Sequence, residues 1–320
     1  MKNILTLTIN PALDQSTEVE QVSPEKKLRC KETRYEPGGG GVNVSRAIQR
    51  LGGSSLAVYA IGGPIGEAMY ARLDAEGLHH RPVRIEGNTR ISFTAMERSS
   101  NQQYRFVMPG PSMENDWQKL LDVLTAEAPQ PSWIVASGSL PPGVPVDFYR
   151  RLARLCHAAG HKLILDTSGD GLKAAVEEGV YLLKPNRREL QSLADSKLEN
   201  EAQQRDVVAQ LMAKGQAEVV VVSLGAAGAL AGWHAGIEHI PAPIVPIQSK
   251  IGAGDSMVAG ITLSLARQKS LGEAIRFGIA AGTSAVSTPG TELCRKDQTE
   301  QLYREMLAKQ KHESTATPAK

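Results

Sequence analysis

Short, mainly apolar runs alternate along this chain with stretches whose apolar positions recur every three to four residues. The runs lie at 4–9, 56–61, 133–137, 162–166, 181–184 and 219–224, and the helical periods at 42–51, 67–76, 146–159 and 205–214. Strands that are apolar throughout are buried on both faces, and their alternation with helices predicts a mainly parallel sheet covered by helices on both faces. The fold class is therefore α/β. Sheets of this kind bind ligands outside the carboxyl ends of their strands, which makes the residues just past each run the first place to look for chemistry.

Two stretches keep a different rhythm. Residues 16–22 with 27–35, and 90–98 with 102–108, alternate polar and apolar side chains, with Ser99, Ser100 and Asn101 as a turn. That period of two predicts half-exposed strands in a small antiparallel β-sheet. Because both pieces interrupt the α/β pattern, they are read as a lid, contributed by about 15–36 and 88–108, on a single α/β domain spanning 1–310. A sheet this small has an apolar face that needs a partner, which predicts a homodimer formed through the lid. Beyond Lys309 the chain is polar and loses periodicity, so 311–320 are expected to form a disordered tail.

Composition removes several classes of function. The 320 residues are 41% hydrophobic, enough for a sizeable core, and the 36 Lys and Arg against 34 Asp and Glu give a formal charge of only +2. A nucleic-acid partner is not expected from so balanced a chain, nor base stacking from 4% aromatic residues. The apolar run at 4–9 is too short and too polar for a signal segment, and no run is long enough to span a bilayer, so a cytoplasmic location and no membrane partner are expected. Cys30, Cys156 and Cys294 lack metal or redox spacing and are read as reduced thiols.

The candidate chemistry is concentrated at Gly252, Ala253, Gly254 and Asp255, which open an apolar helical run. Glycines expose backbone amides there, the helix points its N–H groups and positive dipole end at the same spot, and a carboxylate in the first turn is placed to accept a proton while those amides steady an anion. Plain loop and N-cap roles fit the same four residues. Gly38, Gly39, Gly40 and Gly41 precede a second helix, either as a hinge or because a polyhydroxyl ligand approaches the backbone, with Asn43 as a donor and acceptor. Asp14 follows the first strand, where it accepts sugar hydroxyls or merely stabilises a turn. Asn186 and Glu189 fit a capping box and also a pair of oxygen ligands for Mg²⁺. Ser223, Gly225 and Gly228 end a buried strand, as a phosphate cradle or an ordinary hairpin turn. Lys27, Arg29, Arg90 and Arg105 are lid cations, either solvated or available to a phosphorylated acceptor.

Taken in order, the segments Thr6-Leu7-Thr8, Leu13-Asp14, Lys27-Leu28-Arg29-Cys30, Glu36-Pro37 with the four glycines, 104–110, 137–143, Lys184-Pro185-Asn186, 221–225 and 252–258 carry a family pattern. The chain resembles the ribokinase-like sugar kinases of the PfkB type over residues 5 to about 303, and within them the minor bacterial type of 6-phosphofructokinase. The resemblance implies an ATP-dependent kinase that phosphorylates the 1-hydroxyl of fructose 6-phosphate, with Asp255 as base and the amides of 252–254 as anion hole. It also implies Ser139 and Arg90 as sugar-phosphate contacts and Lys184, Asn186, Ser223, Gly225, Gly228 and Thr283 around ATP. Similar kinases of fructose 1-phosphate or tagatose 6-phosphate usually carry lysine where Gly40 stands. A K⁺ site built from backbone groups of Ser249, Ile251, Ala285, Thr288, Gly290 and Glu292 is implied in the same way. A sugar-phosphate sensor without turnover is the alternative of a different class.

Overall fold

The computed structural model describes residues 3–129 and 132–316, with side chains up to residue 310. In chain order its strands are β1 (Asn3–Thr8), β2 (Ala12–Val19), β3 (Arg34–Gly38), β4 (Leu56–Ile61), β5 (His80–Arg84), β6 (Arg90–Glu97), β7 (Gln102–Val107), β8 (Ser132–Ser137), β9 (Lys162–Asp166), β10 (Val180–Leu183), β11 (Ala217–Ser223), β12 (Ala229–Trp233) and β13 (Gly236–Ile240). The helices are α1 (Gly40–Arg50), α2 (Gly63–Ala75), α3 (Trp117–Glu127), α4 (Phe148–Ala158), α5 (Gly169–Val176), α6 (Arg187–Ala194), α7 (Glu201–Ala213), α8 (Ala253–Ala266), α9 (Leu271–Val286) and α10 (Lys296–Ala316).

The main sheet has nine strands in the order β13-β12-β11-β10-β9-β8-β1-β4-β5. From β11 to β5 every pairing is parallel, and at the other edge the β11–β12 and β12–β13 pairings are antiparallel. The continuous apolar runs are explained by where their side chains go. In β1, Leu5 and Leu7 enter the core that includes Leu120, Phe148 and Leu152, while Ile4 enters the core of α1, α8 and α9 on the opposite face. Alternate residues of one strand are thus buried in two different layers of helices, so the strand has no solvent-exposed side. Burying those side chains contributes roughly 1.5–3 kcal/mol each before the chain entropy is counted.

The lid is a four-stranded sheet in the order β3-β2-β6-β7. Its outer pairs, β2–β3 and β6–β7, are antiparallel, and the seam between them, β2–β6, is parallel. Both β2 and β6 leave the main sheet in the same direction, which makes their contact parallel.

The structure corrects three boundaries. β2 begins at Ala12, so Asp14 lies inside a strand rather than in a loop after the first one. No strand forms over 27–33; that charged stretch is held to β2 by Lys31 N–H to Glu18 O at 2.9 Å and by the Thr17 hydroxyl to Lys31 O at 3.0 Å, and the pairing strand starts only at Arg34. At the other end α10 runs to Ala316, into the stretch expected to be a disordered tail. Residues 317–320, also in that expected tail, lie outside the described residues. Among the described residues no helix is long and apolar enough to cross a membrane.

Candidate active site

Two helices and the lid converge on one cleft of about 270 Å³ at the carboxyl ends of β1, β8 and β9. α8 supplies one wall. Gly252 caps it with φ +74°, a left-handed conformation that glycine adopts without strain, and the first intrahelical bond runs from Ser256 N–H to Gly252 O at 2.8 Å. The amides of Ala253, Gly254 and Asp255 therefore precede the helical ladder, and the positive end of the helix faces the cleft. Asp255 lines it. Burial pushes its carboxyl up to about 6, and Asp166 adds to the shift, while the Asn43 hydrogen bond and Lys184 pull the other way.

α1 supplies the second wall, and here the four glycines find their explanation. A Cβ at Gly38 would stand 2.2 Å from Asp14 Oδ2, one at Gly40 2.0 Å from Ser137 Oγ, and one at Gly41 2.5 Å from Leu7 O. Gly39 sits at φ +107°. Backbone of the protein itself presses on three of these glycines, Pro11 on Gly39, Ser137 on Gly40 and Leu7 on Gly41, so the fold requires glycine there. α1 has no side-chain cap, which leaves its amide end bare toward the cleft. Asn43, one turn in, donates from Nδ2 to Asp255 Oδ2 at 2.9 Å and so fixes the carboxylate's orientation.

The lid closes the third side with Asp14 and Ser92, which face each other across β2 and β6, and with Arg90 and Arg105. Asp14 is 8% exposed and its carboxyl is pushed up to about 6, chiefly by burial, against the opposing pull of Arg105, Ser92 and Arg90. Arg90 donates to Asn10 O at 3.1 Å and to Met108 O at 3.3 Å, and its buried Nε has no partner.

Sequence reasoning did not select Asp166, Thr167 and Ser168, which also line the cleft. Asp166 ends β9 and pairs with the buried Lys184 Nζ at 3.2 Å. Burial works to lower the Lys184 pKa, but Asp166, Glu189 and Asp255 together hold it above the usual lysine value. The signal was available, since Asp166 stands at the carboxyl end of a predicted strand. Ser139 lines the cleft as expected, together with Ser137 and Gly138.

Asn186 and Glu189 form the capping box. Asn186 Oδ1 accepts from the amides of Arg188 and Glu189 at 2.8 and 3.0 Å, and Glu189 Oε2 accepts from the Asn186 amide at 2.7 Å. Asn186 Oδ1 is thereby engaged by both amides, which leaves it little acceptor capacity for a metal ion. The oxygens left for a hard cation at this end of the cleft belong to Glu189 and Asp166. Glu189 lines the cleft, and burial raises its carboxyl above the ordinary value. On the far side of Asn186 a second cleft of about 540 Å³ is lined by Ser223, Arg187, Arg188 and His239. Gly225 opens the turn after β11 at φ +63° with open space around it, whereas Gly228 is required by the fold, because a Cβ there would stand 2.1 Å from Ile240 O. Thr283 is buried in α9.

Two sets of expected residues lie mostly away from the cleft, although Ile251 of the K⁺ set lines it. Lys27 and Arg29 lie exposed in the link between β2 and β3 and do not line it. At the loop after α9, the Thr288 hydroxyl is 2.7 Å from Ala285 O and 2.6 Å from Glu292 O, so one side chain already ties two of the carbonyls assigned to K⁺, each of which keeps a second lone pair. Ser249 Oγ accepts from Ile251 N–H at 3.2 Å, and Gly290 turns the loop at φ +63°. The Glu292 carboxylate is engaged by Arg295 at 2.9 and 3.0 Å.

A model of the pfkB family carbohydrate kinases matches residues 7–298. The chain belongs to this family. Among its relatives, an ATP-dependent 6-phosphofructokinase isozyme 2 of Mycobacterium tuberculosis is 46% identical over 94% of this chain and 88% of its own length. The protein of the same name from Escherichia coli is 41% identical over 95% of this chain and 98% of its own. Crystal structures of phosphofructokinase-2 from Escherichia coli, in complex with potassium and in complex with fructose-6-phosphate, superpose with TM-scores of 0.92 and 0.91 at 40% and 39% identity, each covering 96% of this chain and 100% of the other. Kinases of this family move a phosphoryl group to a carbohydrate hydroxyl, and the amide end of α8 beside the partly buried Asp255 carboxylate suits that task.

Proposed function

We propose that this family member is an ATP-dependent 6-phosphofructokinase that phosphorylates the 1-hydroxyl of fructose 6-phosphate. The observation that carries the reading is Asp255, seated at the amide end of α8, oriented by Asn43, and sharing one cleft with the lid arginines Arg90 and Arg105. Two relatives more than 40% identical over nearly the whole chain bear that activity in their names.

In this reading Asp14 accepts sugar hydroxyls while Arg90, Arg105 and Ser139 hold the sugar's phosphate. Asp255 takes the proton from the 1-hydroxyl as its oxygen bonds to the γ-phosphorus, and the bond to the β,γ-bridging oxygen breaks, its electron pair leaving with ADP. The bare amides of 253–255 face the charge on the transferring group. Lys184, Ser223, Gly225 and Gly228 serve the nucleotide phosphates, with Thr283 toward the rest of ATP. Glu189 and Asp166 would hold Mg²⁺, largely through water, and the ion when bound neutralises phosphate charge. The carbonyls around Thr288 keep the acceptor capacity for K⁺.

An ADP-release assay with fructose 6-phosphate, fructose 1-phosphate and tagatose 6-phosphate decides the acceptor. The expected result is the highest kcat/KM with fructose 6-phosphate. Higher kcat/KM on either other sugar phosphate overturns the reading, and binding without ADP release on all three favours a sensor. Gly40 supports the first outcome, because no side chain fits beside Ser137 at that position in this chain.

The lid also supports a homodimer. Phe106 on β7 and Met108 just past its end are about half exposed, and Phe106 packs against Phe93 with 6.0 Å between ring centroids. Such an apolar face is stabilised by pairing with a second copy, which would bring Lys27 and Arg29 of one lid near a shared roof. Phe106→Asp is expected to shift sedimentation toward monomer and to raise the KM for the sugar phosphate. A fully active monomeric wild type at assay concentration sinks the idea.

A further inference from the structure

Asn10 occupies the bend between β1 and β2, 6% exposed, behind the cleft wall rather than on it. Its position joins three parts of the molecule. Its backbone oxygen accepts from Arg90 Nη2 of the lid at 3.1 Å, and its Nδ2 donates to Ser139 Oγ in the loop after β8 at 3.3 Å. Its Oδ1 is held against Gly110, just past the lid, where a Cβ would come within 2.3 Å of it, and that buried oxygen has no partner.

A hydroxyl that accepts a hydrogen bond keeps its own hydrogen free to donate. With its lone pair facing Asn10, Ser139 has its O–H available to the cleft it lines, beside Arg90. We infer that Asn10 is a positioning residue that turns the Ser139 hydroxyl into a donor for the substrate's anionic phosphate and aligns it with the Arg90 guanidinium. The inference rests on the proposed sugar-phosphate reading of this cleft.

The test compares purified full-length wild type, Asn10→Ala, Ser139→Ala and the double variant, varying fructose 6-phosphate and MgATP separately and recording thermal midpoints. Asn10→Ala is expected to raise the sugar KM about 3–10-fold, as loss of a side-chain hydrogen bond does, with kcat and the ATP KM within about twofold. If Asn10 acts through Ser139, the double variant is no worse than Ser139→Ala. Multiplying effects, an unchanged sugar KM, or an ATP KM that rises in step with the sugar KM would overturn the inference. Should Asn10→Ala fail to fold, Asn10→Asp keeps the shape but replaces the donor with an acceptor that draws the Ser139 hydrogen away from the cleft. Its sugar KM at pH 8 should rise at least as much, and an unchanged value refutes the role. Calorimetric Kd values for fructose 6-phosphate without ATP read the same order without turnover. A wild type inactive on every hexose phosphate refutes the functional proposal, whereas an active wild type with unaltered Asn10→Ala refutes only this inference.

Discussion

Asp255→Asn is expected to lower kcat by roughly 10²–10⁴-fold while leaving the KM for fructose 6-phosphate nearly unchanged. The amide keeps the shape and an acceptor for Asn43 Nδ2, which donates across 2.9 Å, but it cannot take the proton from the attacking hydroxyl. Because the carboxyl titrates near 6, wild-type kcat should climb through that pH and level off above it, and the variant should lose this limb. The effect on stability has the opposite sign. A folded-state pKa of about 6 against an ordinary 3.8 means that the folded chain holds a proton which the unfolded chain has released between those values. Stability linked to this group is therefore greatest below the unfolded value and is lost as pH rises through about 6. At pH 8 the variant escapes that penalty and should gain about 1–3 kcal/mol, seen as a thermal midpoint several degrees above wild type. A variant with near-normal turnover removes Asp255 from the chemistry, and a variant less stable at pH 8 than wild type would contradict the burial argument.

Gly41→Ala should give the largest loss of stability. The added Cβ would lie 2.5 Å from Leu7 O and 2.6 Å from Thr8 Oγ1, against the backbone of a central strand that cannot yield as a side-chain tip does. Overpacking of this kind costs about 3 kcal/mol, or a drop of about 6 °C or more in the thermal midpoint. To relieve the clash α1 must move, carrying Gly39, Gly40 and Asn43 with it, so activity should fall further than stability. Gly225→Ala is the control. Its Cβ meets nothing within 4 Å, and only the left-handed φ of +63° opposes it, at about 1–2 kcal/mol. Equal midpoints for the two variants would show that packing at Leu7 is not what selects glycine at 41.

Much of the fold is legible in sequence because it depends on local period. The consecutive apolar residues 133–136 and 219–222 fit a strand buried on both faces, and they fall on β8 and β11. The lid is harder to read. Its β2–β6 seam joins residues nearly eighty positions apart, such as Asp14 and Ser92, and nothing in either segment alone states whether they pair in parallel or antiparallel. The stretch 27–33 alternates as a strand does but leaves the ladder, since alternation describes side chains and not whether a neighbouring backbone is within reach.

By itself the sequence determined the α/β class, the interrupting lid strands, the helix-opening Gly-Ala-Gly-Asp and the capping box at Asn186. Each of these rests on interactions within a few residues, where spacing dictates geometry. Tertiary structure alone decided that Asn43 holds Asp255, that Asp166 and Lys184 form a buried pair beside it, and that Asp14, Ser137 and Leu7 press on the glycines. It also decided that Lys27 and Arg29 stand away from the cleft within one chain. These are contacts between segments brought together by the sheet order, and their energies come from burial and from charges a few ångströms apart, quantities that have no value until the chain is folded.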